Sequence, residues 1–311
     1  MIDCRDQPLR DVIAAVRAEL ARVPTTIEVV ALDPDGSQGH YAGEVVYGRV
    51  HRSYRVWVDV AERLGLRMLT PRPSDPGLVV LRFAVLDPTA RMDYAARGTE
   101  ETERYGAGSD FAKIDKTEDP GFLLDFADAL ERCGLAERAS SSQRILDLGV
   151  NTGDELALIR TLLPNVPATL VGVDHSASAI AVAKDRFASD PRIELHCADV
   201  NEPMTVGQFD LVLSISTLQS AGLDDRDLVR RIVQNHLAPG GSVIIGVPNC
   251  RYVDGEVEYG ARMRNFRQPE LGLVVKDIAF YRKYFQQHHM QVFVTGKHYL
   301  FVTAVATVRD E

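Results

Sequence analysis

The chain has 311 residues, 45% hydrophobic and 25% charged, a make-up that excludes disordered and fibrous classes and leaves room for one or two domains around a large core. No run approaches the roughly 18 consecutive apolar residues of a membrane span. The opening MIDCRDQPLRD is polar and acidic where a secretory leader would be basic and then apolar, so the cytoplasm is the expected compartment. The net charge is −9, and residues 1–98 hold 13 Arg, no Lys and 13 acidic residues, so the whole excess lies downstream; this balance disfavours a nucleic-acid partner, local patches aside. Cys4, Cys133, Cys197 and Cys250 are scattered without C-x-x-C spacing and read as reduced thiols, with no metal site implied.

In chain order, residues 1–90 read as α-β-β-α-β. A helix is expected over 9–22, strands over 27–32 and 44–50, a helix over 51–64 and a strand over 78–86, punctuated by DPDGSQG and PRPSDPG. In the second helix Tyr54, Trp57 or Val58, Ala61 and Leu64 recur at helical spacing and predict a buried face. Arg52, Arg55 and Arg63 fall on other faces, where Asp59 is placed for exposed ion pairs. The segment from Asp33 to Glu44 has acids at the first, third and twelfth positions of a calcium loop, but Gln38 stands where that loop needs Gly, so it reads as a turn.

Residues 91–142 form a polar, helix-prone connector ending in Ala139-Ser140-Ser141-Ser142. Beyond it, strands over 144–148, 169–173, 193–196, 209–214 and 242–247, with intervening helices, follow the rhythm of a parallel, doubly wound sheet. After a helix over 276–287, MQVFVTGKH and YLFVTAVATV leave no room for a crossover and must pair as an antiparallel hairpin through Gly296-Lys297. The expected organisation is an α+β accessory domain over 1–90, a connector or lid over 91–142 and a ligand-binding domain over 143–311.

The stretch DLGVNTGDE, from Asp147 to Glu155, reads as strand end, glycine loop and helix start, the arrangement that holds nucleotide-like ligands. A dinucleotide fingerprint needs glycines two and five residues after the first; here Asn151 stands at the first of these and the next glycine is Gly153, so a pyrophosphate is not the expected ligand. Asn151 tolerates left-handed backbone geometry, and the loop can still turn tightly. Asp147, at the end of the first strand, would repel a phosphate and suits an ammonium group. Asp174 ends the second strand, where a carboxylate can accept from both ribose hydroxyls. Asp199 ends the third, where it can accept from the exocyclic amine of adenine. Ammonium, ribose and adenine together describe S-adenosylmethionine.

With these acids in this order, followed by FDLVLSIS, LAPGGSVIIGVPN and the closing hairpin, residues 143–311 resemble the class I S-adenosylmethionine-dependent methyltransferases. The resemblance implies an α/β fold: a Rossmann-like, doubly wound, mostly parallel seven-stranded sheet with a C-terminal antiparallel hairpin, here beside a small N-terminal α+β domain. It implies S-adenosyl-L-methionine as cofactor. Gly149, Asn151 and Gly153 would let the backbone approach its methionine part, Asp174 with the neighbouring His175 would serve the ribose side, and Asp199 with the amide of Val200 would frame the adenine edge. Ser214 and Ser216 would face the methionine carboxylate and the methyl group. Val150 and Asn151 depart from the usual small residue and glycine. Upstream, ERYGAGSDFAKIDKTEDP either lids the cofactor, with Tyr105 and Arg104 or Lys113 meeting the methionine carboxylate, or is an ordinary amphipathic connector.

Methyl transfer from an activated sulfonium needs positioning and an in-line nucleophile, so no catalytic residue is assigned. The stretch after the fifth strand, PNCRYVDGEVEYGARMRNFRQPE, is long for a βα loop and rich in Arg and Tyr. Asn249, Arg251, Tyr252, Tyr259 and Arg262 are its candidate substrate residues. A small-molecule acceptor is preferred; the alternatives are an RNA such as tRNA docked by residues 1–90, and a non-catalytic S-adenosylmethionine-binding regulator, against which the three acids stand. Cys250 lacks the flanks of a cytosine-5 nucleophile, SISTLQS stands where an adenine-N6 enzyme would have an N-P-P-Y motif, and His298 and His288-His289 read as structural. The acceptor atom and the oligomeric state stay open.

Overall fold

A computed structural model of the protein describes residues 1–36, 39–90, 100–138, 142–220, 222–259 and 271–307. The chain divides into two compact units, Met1–Met92 with Tyr252–Glu258, and Asp93–Arg251 with Tyr259–Glu311.

The first unit contains β1 (Ile2–Asp3), α1 (Leu9–Leu20), β2 (Thr26–Leu32), β3 (Val45–Val46), β4 (Arg49–Val50), α2 (Tyr54–Leu64), β5 (Leu66–Pro73) and β6 (Leu78–Val85). Four of these strands form one sheet in the order β1-β2-β6-β5. Strict alternation puts Ile27, Val29 and Ala31 of β2 and Val79, Leu81 and Phe83 of β6 on one buried face, where Val12 and Val16 of α1 and Trp57 and Ala61 of α2 close the core. The expected strand over 44–50 is instead the two-residue hairpin β3-β4, because Tyr47 and Gly48 both adopt positive φ (50° and 78°), the geometry of a primed turn. The periodicity reading missed β5. It lies at the sheet edge, and its register shifts between Leu69 and Arg72 around Pro71, which cannot donate to the ladder. Arg52 corrects another expectation: it is 9% exposed, and its guanidinium donates to the carbonyls of Cys4 and Gln7, whereas Arg55 does pair with Asp59 at 2.5 Å. Arg67 ties residues 252–258 into this unit, pairing with Glu256 at 2.8 Å and donating to the carbonyl of Asp254.

The second unit opens with three single 3₁₀ turns, Glu101–Glu103, Phe111–Lys113 and Lys116–Glu118, followed by α3 (Pro120–Arg132). Asp119 caps α3 by accepting from the amide of Phe122 at 2.7 Å, and Pro120 takes the first helical position. Then come β7 (Gln143–Leu148), α4 (Asp154–Leu162), β8 (Ala168–Asp174), α5 (Ala177–Arg186), β9 (Ile193–Cys197), β10 (Phe209–Ile215), α6 (Asp225–Arg231) running into a π turn over Ile232–His236, β11 (Leu237–Pro248), β12 (Cys250–Val253), β13 (Glu256–Tyr259), α7 (Leu271–Gln287), β14 (Met290–Gly296) and β15 (Tyr299–Ala306). The seven-stranded sheet has the order β14-β15-β11-β10-β7-β8-β9. Only β15 runs antiparallel to its neighbours, as the closing hairpin requires. One expected feature is missing: residues 198–208 join β9 to β10 without a helix.

Each strand alternates between two cores. Leu146 and Leu148 of β7 face α6 and α7 through Leu228, Val229, Val274, Tyr281 and Phe285; Ile145 faces α3 and α4 through Phe122, Phe126, Leu156 and Ile159. Asp147 shares the face of Ile145 and therefore points under α4. The strand order reverses between β7 and β10, so the crevice at their carboxyl ends is the expected ligand position for a doubly wound sheet.

Candidate functional site

The glycine loop leaves β7 in the predicted way. Gly149, Asn151 and Gly153 all have positive φ (83°, 47° and 88°). A Cβ at Gly149 would collide with the hydroxyl of Thr217, and one at Gly153 with the ring of Phe187, so both positions require glycine for space as well as for conformation. Asn151 accepts the left-handed geometry and also uses its side chain: Nδ2 donates to the carbonyl of Tyr105 at 2.7 Å, and Oδ1 accepts from the amide of Thr152 at 2.9 Å.

Asp174 clamps the same loop. Its Oδ2 accepts from the amide of Asn151 at 3.0 Å and its Oδ1 from the amide of Ser176 at 2.8 Å. Each oxygen keeps a second lone-pair direction for a ligand hydroxyl. The cap of α5 is Ser176, which accepts from the amide of Ala179 at 3.1 Å. Glu103 then pins the connector to this helix start: it accepts from Ser176 Oγ at 2.9 Å, from the amide of Ser178 at 3.2 Å and from the Ser178 hydroxyl, which holds its carboxyl below the usual range. The amide of Ala107 donates to Ser178 Oγ at 3.0 Å.

Beneath the loop lies a cluster of buried charges. Asp147 is 1% exposed, and among the described residues neither carboxylate oxygen has a hydrogen-bond partner. Burial first, then repulsion from Glu155, pushes its carboxyl well above the ordinary range, while Lys116 pulls the other way. Glu155, in the first turn of α4, is 2% exposed and ion-paired with Lys116. Burial is the largest single influence on the Lys116 ammonium and disfavours it, but Glu155, Tyr299 and Asp154 together outweigh it and the group stays above its ordinary value. Lys116 also lies 5.9 Å from the ring of Phe122, which meets Tyr299 edge-on at 5.1 Å. Burial raises the Tyr299 phenol, which hydrogen-bonds Ser216 Oγ.

The remaining candidates sort by position. Ser216 is held at φ 61° after β10, and Ser214 is buried with its hydroxyl unpartnered among the described residues. Asp199 is exposed and accepts from the amide of Asn201 at 2.8 Å; Val200 is buried, and its carbonyl accepts from Arg231 at 2.9 Å. His175 is exposed, its carbonyl facing the Cys197 thiol at 3.7 Å. The connector contributes Lys116 to the cluster, whereas Lys113 is exposed and pairs with Asp110 at 2.6 Å. Tyr105 approaches the loop through its carbonyl, and its ring stands edge-on to Phe111 at 6.1 Å. Asn249 is 3% exposed and works on the closing hairpin, donating from its amide to the carbonyl of His298 at 2.7 Å and from Nδ2 to that of Lys297 at 3.0 Å. Arg251 and Tyr259 lie on the paired strands β12 and β13, and Tyr252 groups with the first unit. Arg262 lies outside the described residues.

Sequence reasoning missed Lys116, Glu155, Glu103 and Tyr299. Glu155 was visible as an acid in a first helical turn, a common placement that favours the helix dipole and gives no sign of burial. Lys116 looked like any lysine of a polar segment.

Residues 145–241 match the family model described as a methyltransferase domain. Over 105 residues the chain is 34% identical to a carboxy-S-adenosyl-L-methionine synthase of Trichodesmium erythraeum, covering 33% of this chain and 41% of that protein. Over 106 residues it is 32% identical to a malonyl-[acyl-carrier protein] O-methyltransferase of Bacillus anthracis, covering 34% of this chain and 38% of that one. The chain thus matches less than half the length of either relative. Among solved structures, an S-adenosylmethionine-dependent methyltransferase of Mesorhizobium loti superposes with a TM-score of 0.39 at 18% identity, covering 54% of this chain and 92% of that one. No helix among the described residues is long and apolar enough to cross a membrane. Residues 145–241 thus carry a methyltransferase domain, set in the strand order and glycine loop described above, and S-adenosylmethionine is the methyl donor this match implies.

Proposed function

We propose that the protein transfers a methyl group from S-adenosylmethionine to a small-molecule acceptor in the cytoplasm. The observation that carries the cofactor placement is Asp147: a carboxyl 1% exposed, with both oxygens unpartnered, under a loop whose Gly149 leaves no space for a side chain. Buried polar groups are costly unless matched, and an α-ammonium supplies the missing donors. Asp174 has acceptor capacity left for ribose hydroxyls, Asp199 is exposed at the third strand end for an adenine amine, and Ser214 has a hydroxyl to offer. When bound, the cofactor supplies an activated methyl group on a sulfonium. The chain's own work is to orient, to exclude water and to hold the loop, and Asp174 and Asn151 do the last of these through backbone and side-chain bonds.

Support for a small acceptor comes from the net charge of −9 and from relatives named for small or carrier-bound substrates. Asn249, Arg251, Tyr252, Tyr259 and Arg262 remain the proposed acceptor side. The test is transfer of labelled methyl groups to a small-molecule extract and to total RNA, each with and without nuclease. Label in nuclease-resistant small molecules is expected; label found only in RNA, and lost on nuclease treatment, would replace this reading with the RNA one.

A further inference from the structure

The charges under the glycine loop do not balance. Two carboxyls, Asp147 and Glu155, are buried there at 1% and 2% exposure, and among the described residues one cation, Lys116 of the connector, acts on both. Lys116 is committed to Glu155 by direct contact. The other acids acting on Asp147 do not relieve it: Asp154 of α4 pairs with Arg186 at 2.5 Å, and Asp174 of β8 accepts from two backbone amides. Tyr299 and Ser216 bond each other and carry no charge. Among the described residues the cluster is therefore one positive charge short, and the deficit falls on Asp147, the member for which they supply no hydrogen-bond partner.

We propose that Asp147 holds a proton in the ligand-free protein and exchanges it, one for one, for the α-ammonium of the ligand's amino-acid end. This rests on the reading that the site binds S-adenosylmethionine. In the exchange the Asp147 O–H bond breaks, the proton leaves to solvent, and the resulting carboxylate accepts an N–H from the incoming ammonium; no electrons move. The proton is assigned to Asp147 because Lys116 is in direct contact with Glu155, whereas Asp147 has no hydrogen-bond partner among the described residues. Burial acts on Asp147 in the same direction, favouring its neutral form. The consequence is a binding site that reads the amino-acid end of its ligand with a proton as the placeholder, so affinity depends on pH only for ligands that carry that end.

The experiment is calorimetric titration of the whole chain with S-adenosylhomocysteine and with 5′-methylthioadenosine, which shares the nucleoside thioether but lacks the amino-acid tail. Each titration is repeated in buffers of different ionisation enthalpy between about pH 5 and 7, below the ordinary α-amino range. S-adenosylhomocysteine should release about one proton and bind up to about tenfold more tightly per pH unit, and 5′-methylthioadenosine should release none. Asp147→Asn should abolish the release; should that variant fail to fold, the two-ligand comparison on the wild type decides alone. Binding of S-adenosylhomocysteine without proton release, or equal release with both ligands, overturns the exchange and leaves the cofactor reading standing. No binding of S-adenosylhomocysteine at all removes both.

Discussion

β7 and β8 lie side by side in the sheet, and each carries an aspartate near its carboxyl end, Asp147 one residue before the end of β7 and Asp174 as the last residue of β8, yet the two ends hold their acids in opposite ways. Asp174 is half-buried and satisfied by two backbone amides, so its charge is solvated by the chain and its second lone pairs stay available. Asp147 is fully buried, unpartnered among the described residues and pushed towards its neutral form. The same residue type at two neighbouring strand ends is satisfied by backbone amides in one case and lacks a hydrogen-bond partner among the described residues in the other. What separates them is which backbone N–H groups the following turn aims back at the strand: the amides of residues 149–153 go to Val173, Asp174, the Asn151 side chain and Val150, and none to Asp147.

The largest effect expected from breaking this contrast is at Lys116. Lys116→Met leaves Glu155 and Asp147 buried together without a cation and should cost about 3–5 kcal/mol of stability in denaturant unfolding, as breaking one partner of a buried pair does. A loss under about 1 kcal/mol, the range of an exposed pair, would mean that the cluster is not charged as described.

Next comes the other strand end. Asp174→Ala removes a ribose acceptor and the clamp on Asn151 together, and should weaken S-adenosylhomocysteine binding by about 2–4 kcal/mol in a titration. Unchanged affinity in a folded variant would remove Asp174 from the proposed site.

The pH dependence of stability sharpens the comparison. Because the Asp147 carboxyl is raised in the folded state, the folded chain holds more protons than the unfolded one above about pH 4. Its contribution is fully present at lower pH and is lost as pH rises through the folded value, with a slope of at most about 1.4 kcal/mol per unit. Carboxyls held low, such as Glu103, act in the opposite sense, losing their contribution as pH falls. The difference between wild type and Asp147→Asn isolates the first trend: ligand-free wild type should lose stability relative to the variant as pH rises. A difference that is flat with pH, measured by thermal unfolding, would place the proton elsewhere.

The smallest effect concerns Asn151. Asn151→Ala puts an ordinary side chain at φ 47° and breaks the bond to Tyr105, costing about 1–2 kcal/mol. Asn151→Gly, which loses only the side-chain bond, should cost about 0.5–1.5 kcal/mol and remain the milder variant in the same unfolding measurement. Because both variants lose the side-chain bond, a glycine variant no milder than the alanine one would show that the left-handed geometry carries no cost at this position.

Much of the second unit was legible because its signals are local. Apolar runs of strand length ending in Asp147, Asp174 and Asp199 appear where the structure has β7, β8 and the turn after β9, and the spacing of MQVFVTGKH and YLFVTAVATV allowed only the hairpin that β14 and β15 form. What was not legible depends on contacts across sequence distance. Lys116 meets Glu155 from 39 positions upstream, and Glu103 meets Ser178 from 75 positions upstream. Nothing in a window of polar residues says which lysine will meet a buried acid, and the cations named there as lid candidates are Arg104 and Lys113. Asn249 shows a divided case: its Nδ2 and backbone amide go to the carbonyls of the closing hairpin, while its Oδ1 has no partner among the described residues. In the first unit, β5 escaped because its prolines read as turn signals when they mark an edge.

In the proposed site the two strand ends hold opposite ends of one ligand, Asp147 the amino-acid end and Asp174 the ribose. This arrangement is tested most directly by titrating Asp147→Asn and Asp174→Ala with both S-adenosylhomocysteine and 5′-methylthioadenosine. The account predicts that Asp174→Ala weakens both ligands, while Asp147→Asn weakens S-adenosylhomocysteine by about 1.5–3 kcal/mol and leaves 5′-methylthioadenosine within about 0.5 kcal/mol. Equal weakening of both ligands by Asp147→Asn, or no weakening of either, would contradict it.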